Sequence, residues 1–500
     1  MIDKIFSKIK NYHPAKPVMI LYFLIPMILA VYTIMLMDND FYFLSSIGKY
    51  IINNGIPYYE PFSIHSGFHY VAQQWLSSII IYFVHDVFGV VGITIFVILL
   101  FMLIIYIFYK ICMLISDNRL GLSVIITTIT MSILATLFIR CRPQLFDYII
   151  FLIEFYILEK YIRNDNDKII YILPILSILL INLHASSWFM LFIFILPYIV
   201  NTFKINFLCF DSDNYRLKPL IITMIIMFAC GFINPYGLDA ITYIFKSYNV
   251  ESINAIVNEM HMPTLKTSTG ILIYICIFLT LVVYMLGNKN KNINIKSFLL
   301  YIGTVILSIS NVKGFNFFLI GGVFSLAEYM KERFPIYEDK YIYSNIFRIK
   351  YSFILLLFLA IFIFYINFNK DNIEKTAITK IVNYMNNSKV DKNSKIYCNY
   401  DDGSYLIYNG YKVYIDPRAE VYLKSNNKKE DIMNEYYMLQ KGKLNFKKFL
   451  EKYDFDYLVV SNRDLLYKKY LYKDIDKEYK KIKIVEDYGY ITHYLYKKVN

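Results

Sequence analysis

Three groups of residues carry the chemical possibilities of this chain. Asp38, Asn39 and Asp40 stand directly after an apolar run, and Glu60 follows in the same polar stretch. Arg140 and Arg142 flank Cys141, with Asp147 shortly after. Asn182 and His184 lie in the block Asn-Leu-His-Ala-Ser-Ser-Trp. A carboxylate can take the proton from an acceptor hydroxyl while arginine or histidine neutralises a phosphate leaving group. Arginine suits phosphate because its donors form a planar fork. Each group also has a plainer reading. Asp40 can cap an amphipathic helix, and the arginines can snorkel to lipid phosphates. Asp38-Asn39-Asp40 has the Asp-x-Asp form of metal–sugar-nucleotide sites, a weak three-residue pattern. His65 and His69 have i, i+4 spacing, but Ser66-Gly67 between them argues for a loop, not a metal pair.

The elements that must position these residues are membrane spans. The 500 residues are 57% hydrophobic and 18% charged, with a mean hydropathy of +0.42. Soluble domains carry about a quarter charged residues, and runs of about 20 apolar residues mark spans. That composition excludes a cytosolic globular protein, a disordered chain and a secreted disulfide scaffold. The six cysteines show no CxxC spacing, so no zinc site or disulfide framework is readable. The net charge of +13 comes from lysines beside apolar runs. It points to topology and anionic lipid, not to nucleic acid.

Apolar segments predict spans near 17–37, 89–110, 121–140, 143–162, 169–184, 186–206, 217–236, 270–287, 296–311, 313–330 and 351–368. The first follows a basic stretch, 1–16, and ends in no small-residue cleavage site, so it reads as retained. Residues 75–88 are too short to span and contain His85 and Asp86, which suits a helix lying along the membrane. With the N-terminus cytoplasmic and 75–88 not crossing, the basic loops all fall inside. The same layout puts 38–88, 140–143, 184–186, 237–269, 311–313 and the tail outside. Arg140 and Arg142 then sit at the outer edge against the charge bias, which marks them as functional candidates.

The tail, 369–500, holds 26 Lys and Arg against 19 Asp and Glu and no span-length apolar run. Strand-like runs at 395–399, 412–416, 457–461, 481–485 and 490–496 alternate with helical patterns at 371–387, 428–440 and 445–453. This predicts a small extracytoplasmic α/β domain. It contains no phosphate-binding glycine loop. The fold expected is a polytopic α-helical membrane protein of about eleven transmembrane helices. Its parts are a basic N-terminus (1–16), a membrane domain (17–368) and the tail domain (369–500).

The first outer stretch, DNDFYFLSSIGKYIINNGIPYYEPFSIHSGFHYVAQQWL (38–76), resembles the first outer loop of GT-C membrane glycosyltransferases, in particular a bacterial branch. RPQLF (142–146), NLHASSW (182–188), NPYG (234–237) and DDGSYLIYNGYKVYIDPRAEVY (401–422) resemble further blocks of that branch, in the same order. The His-Pro-Pro-Leu-type block is absent, with Gln73-Gln74-Trp75-Leu76 in its place. The resemblance implies a GT-C core with surface helices at 41–52 and 75–88 and a second outer loop at 237–269. It implies transfer of a sugar from a polyprenyl-phosphate carrier to an extracytoplasmic acceptor. By position the base maps onto Asp40, with Asp38 second. Arg142, Arg140 and His184 become candidates for the carrier phosphate, and Asp147 and Glu60 further substrate-binding candidates. The resemblance fixes no cofactor, and a divalent metal stays open.

Three other readings compete. An O-antigen polymerase or ligase would want arginines and histidine in a long later loop, where 237–269 offers Lys246, Lys266 and His261. A lipid or polysaccharide transporter would show internal repeats or broken helices; Asp147 and Glu154, at i, i+7 on one helix face, would then line a polar path. A non-catalytic envelope protein would keep the fold and use the tail to bind a partner, with Asp416, Arg418 and Glu420 holding the tail together.

Overall fold

The computed structural model describes residues 22–34, 39–163, 167–203, 210–213, 215–247, 250–287, 293–331, 377–473, 478–487 and 490–499. The expected span at 351–368 and Asp38 lie outside the described residues. The chain divides into two compact units. The first comprises 1–35, 94–237 and 259–365; the second comprises 36–93, 238–258 and 366–500. Residues 38–88 and 238–258 thus belong to the unit that contains the tail, while 259–269 belong to the other.

The first unit is helical. It contains Leu24–Ile34, the part of Trp75–Ile115 beyond residue 93, Leu120–Phe138, Gln144–Arg163, Leu173–Leu183, Phe189–Val200, Leu217–Cys230, Ser268–Gly287 and Ile295–Ser310. Among the described residues, two helices, Trp75–Ile115 and Leu120–Phe138, are long and apolar enough to cross a membrane, and five shorter apolar helices accompany them. Leu99, Ile129, Ile225 and Phe278 point outward from this apolar set, as residues facing lipid do. Several helices are shorter than the expected spans for local reasons. Residues Asp167–Ile172 form a 3₁₀ turn before Pro174 starts Leu173–Leu183, and proline is well placed in a first helical turn. A second 3₁₀ turn, Ala185–Ser187, separates that helix from Phe189–Val200. The short strands β1 (Phe210–Asp211) and β2 (Ile293–Asn294) pair in parallel, and the Asn294 side chain caps Ile295–Ser310.

The interior is aromatic and tightly fitted. Phe155 contacts Phe194 and Phe324, and Phe324 contacts Phe108. A Cβ on Gly231 would meet Trp188 at 2.3 Å, so only glycine lets that backbone close on the indole. One buried ion pair ties three helices: Lys296 Nζ lies 2.8 Å from Glu159, which also accepts from Tyr198. Lys296 is buried, because Glu159 supplies the partner that makes burial of an ammonium tolerable.

The second unit begins with Asn39–Asn54, an amphipathic helix that buries Phe41, Leu44, Ile47 and Ile51. Helix Trp75–Ile115 is broken at Gly89 (φ 62°, ψ −159°), so 75–88 is a separate helical piece. The helices Leu238–Ser247 and Glu251–Ile256 follow. The tail forms a five-stranded sheet of β3 (Lys395–Tyr397), β4 (Lys412–Val413), β5 (Tyr457–Ser461), β6 (Tyr479–Asp487) and β7 (Tyr490–Lys498), in the order β4-β3-β5-β7-β6. β3 is parallel to both neighbours, whereas β7 is antiparallel to β5 and β6. Helices Ala377–Asn387, Ile432–Gln440 and Phe446–Tyr453 accompany it. The first outer loop extends the sheet edge, because Ser63 bridges Val413 in parallel and Ile64 N donates to Val413 O at 2.9 Å.

Candidate active site

In the first unit, the turn Arg140–Pro143 leads into helix Gln144–Arg163. Arg142 N donates to Arg140 O (2.8 Å), and Phe146 N donates to Pro143 O (2.9 Å). Asp147 falls in the first turn of that helix, where the helix dipole favours a carboxylate. His184 follows Leu173–Leu183 with non-helical backbone (φ −159°, ψ 82°). Its place is set by Trp188, which is fully buried and donates to Ser177 Oγ (2.8 Å), itself donating to Met227 O (2.7 Å). The 3₁₀ turn between His184 and Trp188 brings Ser187 to the helix that carries Asp147 and Ser186 to the His184 ring.

These residues meet. His184 Nδ1 lies 2.6 Å from Asp147 Oδ2, and Ser187 Oγ donates to the same oxygen at 2.7 Å. On the other side of the ring, His184 Nε2 lies 2.9 Å from Ser186 Oγ. Asp147 is 3% exposed and His184 2%. Asp147 Oδ1 is buried and has no hydrogen-bond partner among the described residues. The carboxylate therefore orients the imidazole through one oxygen and keeps the other open. An oriented imidazole of this kind can hold or move a proton at Nε2.

The arginines present a second feature of the same unit. Arg142 Nη1 lies 2.6 Å from Glu259 Oε1. Partial burial raises the Glu259 carboxyl, but Arg142, Lys313 and Arg140 outweigh it and hold the group below the usual carboxylate range. Asn182 and Asn234, quoted above for their blocks, are turn-builders. Asn182 Nδ2 donates to Ile233 O (2.8 Å), and Asn234 Oδ1 accepts from Tyr236 N (2.8 Å).

In the second unit, Asp40 lies in the first turn of Asn39–Asn54, half-buried. The helix is fixed by Tyr42, whose ring stands edge-on to Tyr405 at 4.8 Å, and by Phe41 against His85 at 5.1 Å. Burial, then Glu420 and Asp40, raise the Tyr400 hydroxyl well above its ordinary value, which places the Asp40 charge in the neighbourhood of that phenol.

Glu60 is engaged elsewhere in this unit. Its Oε1 accepts from Arg418 Nη2 (2.8 Å) and Phe62 N (2.9 Å), and its Oε2 accepts from Ser63 N (2.7 Å). Arg418 also donates through Nε and Nη2 to the two oxygens of Asp416, at 2.8 and 2.6 Å, and Tyr422 donates to Asp416 as well. The guanidinium lies 5.0 Å from the Phe62 ring. Burial raises the Asp416 carboxyl, but Arg418 outweighs it and the group lies below its ordinary value. Glu60 thus has both oxygens bonded within the fold.

Reading the sequence alone passed over Ser186, Ser187, Glu259 and Lys313. Lys313 carried a usable signal, since it stands in a turn assigned to the outer face against the same charge bias that marked the arginines. Glu259 lies in 237–269 with no motif or spacing around it that marks it in the sequence. The serines sit inside a quoted block but have no spacing that links them to Asp147, some forty residues away.

No family model matches the chain, and no curated protein matches it in sequence. Among solved structures, it is similar to the Archaeoglobus fulgidus oligosaccharyltransferase in complex with Zn and sulfate. The TM-score is 0.52 at 12% identity, covering 95% of this chain and 72% of the other. An alignment over nearly the whole chain at that identity is a likeness of fold and of nothing finer.

Proposed function

We propose that this protein is a multi-pass membrane glycosyltransferase that moves a sugar from a polyprenyl-phosphate carrier to an acceptor on the outer face of the cell membrane. The observation that carries the reading is the likeness to an oligosaccharyltransferase over 95% of the chain. The residues support it from within. Asp40 is a half-buried carboxylate at a helix start and takes the role of base toward the acceptor hydroxyl; Asp38 is the second choice. Arg142 and Arg140 take the carrier phosphate, because arginine's donors match phosphate oxygens in pairs. His184 is oriented by Asp147 and keeps Nε2 on the Ser186 side. There it serves as a proton donor to the departing phosphate, a narrower role than a simple cation. The membrane layout proposed is the eleven-crossing one, with a cytoplasmic N-terminus and the tail outside.

The test is transfer from a labelled polyprenyl-phosphate sugar to the acceptors of a membrane extract. Asp40→Asn should reduce turnover by about 10²–10⁴, the usual contribution of a positioned base, while the protein stays folded in the membrane. Full activity in that variant would remove Asp40 as the base. Co-purification of the carrier lipid with the wild type, read by native mass spectrometry, would name the sugar. Absence of binding and of transfer would favour a membrane protein that keeps the fold without the chemistry.

A further inference from the structure

We propose that Glu259 is a built-in occupant of an anion site formed by Arg142, Arg140 and Lys313, and that the phosphate of an incoming lipid displaces it. The inference rests on the reading of Arg142 and Arg140 as phosphate-binding residues and adds Lys313 as a third cation and Glu259 as the competing anion.

Four observations carry it. Arg142 Nη1 and Glu259 Oε1 are 2.6 Å apart, so the fork that would grip a phosphate oxygen already holds a carboxylate. The two partners are unequally exposed: the Arg142 side chain is 15% exposed and that of Glu259 37%. The anion therefore lies on the solvent side and can leave without unseating the arginine. The cations outnumber it, since Arg142, Lys313 and Arg140 all act on this one carboxylate. Finally, the turn carrying Lys313 is preformed: the Asn311 side chain accepts from Gly314 N (2.7 Å), and Val312 N donates to His261 O (3.0 Å). That last bond ties the Glu259 segment to the Lys313 turn just beyond the residue that would move.

A single carboxylate offers one negative charge and two acceptor oxygens. A sugar-bearing carrier is a phosphodiester, whose one charge and two free oxygens match the carboxylate. The sugar-free carrier is a monoester with up to two charges and three oxygens, so the monoester competes best for a cluster of three cations. A partly exposed ion pair contributes modestly, and a site occupied by its own side chain binds ligand in proportion to the fraction of time it is open. The expected effect of removing Glu259 is about fivefold tighter binding of a phosphate-bearing lipid.

The experiment titrates the full-length protein in detergent with undecaprenyl phosphate, with neutral undecaprenol and with phosphatidylglycerol, and reads occupancy by native mass spectrometry. Glu259→Ala should tighten undecaprenyl phosphate binding about fivefold and leave undecaprenol unchanged. Glu259→Gln, which keeps the shape and loses the charge, should move in the same direction. Lys313→Ala should weaken the phosphate lipid and not the alcohol. If Arg142→Ala abolishes binding but neither Glu259 variant tightens it, the displaceable carboxylate is wrong and the phosphate role of Arg142 stands. If both Glu259 variants tighten phosphatidylglycerol as much as undecaprenyl phosphate, the displacement stands and the carrier reading fails. If wild type and every variant bind phosphate and alcohol alike, both fall.

Discussion

Each of the two compact units buries an acid beside a base, and the two arrangements are wired differently. In the second unit, Arg418 joins Asp416 and Glu60, and every oxygen of both carboxylates has a partner. In the first, Asp147 uses one oxygen on His184 and Ser187 and leaves the other open in a buried place. Both carboxylates of the Arg418 cluster are spent on the fold, although Arg418 Nη1 is buried without a hydrogen-bond partner among the described residues. An open carboxylate keeps bonding capacity that the folded chain does not consume, which is what a group meant to meet a ligand requires. Glu60 and Asp147 are both substrate-binding candidates in the sequence, and their bonding differs: Glu60 uses both oxygens within the fold and Asp147 one.

Three experiments test that contrast. The largest effect is expected from Arg418→Ala, which strands two buried carboxylates. It should cost the second unit about 3–5 kcal/mol, read by denaturant unfolding in detergent. A loss below about 1 kcal/mol would mean the cluster is not what holds the first outer loop to the sheet edge.

Asp147→Asn should act on turnover instead. With the imidazole no longer held in one tautomer, transfer should fall about 100-fold and the pH–rate profile should shift. Stability should change little, because the amide can still accept from Ser187. A large stability loss with unchanged turnover per folded molecule would make the two clusters alike.

The smallest effect is a pH dependence of the second unit. Burial lowers the folded-state pKa of His65, against the opposing pull of its bond to Tyr414 O (2.8 Å). The folded state thus prefers the neutral ring. Its contribution is full above the ordinary histidine value near 6.5 and is lost as pH falls from there toward the depressed folded value. A drop of about 1 kcal/mol or less between pH 7 and 5 is expected, and His65→Gln should remove it. An unchanged drop in that variant would assign the effect elsewhere.

What could be read from the sequence follows the range of the interaction. The strand runs beginning at 395, 412, 457, 481 and 490 alternate over a few residues, and each lies in or beside one of β3 to β7. The stretch 75–88 was set apart by length and by His85-Asp86, and the helix does break at the next residue, Gly89. Pairings between distant positions left no trace. Glu60 and Arg418 are 358 residues apart and Asp147 and His184 are 37 apart, and neither separation has a periodicity to report it. Some helices in the first unit are shorter than the expected spans for a related reason: the apolar residues 169–172 continue the hydrophobic run but belong to the 3₁₀ turn Asp167–Ile172.

The break at Gly89 sets a length limit. Uninterrupted, 41 helical residues would make a straight rod of roughly 60 Å, against about 40–45 Å for a whole bilayer with its headgroups. Nothing lies within 4 Å of the position a Cβ would take, so the demand for glycine is purely torsional. The backbone there occupies a region that other residues essentially never enter. A single methyl group at position 89 would therefore favour a rod too long for any ordinary membrane, and its apolar surplus would have to tilt, protrude or drag water-facing residues into oil.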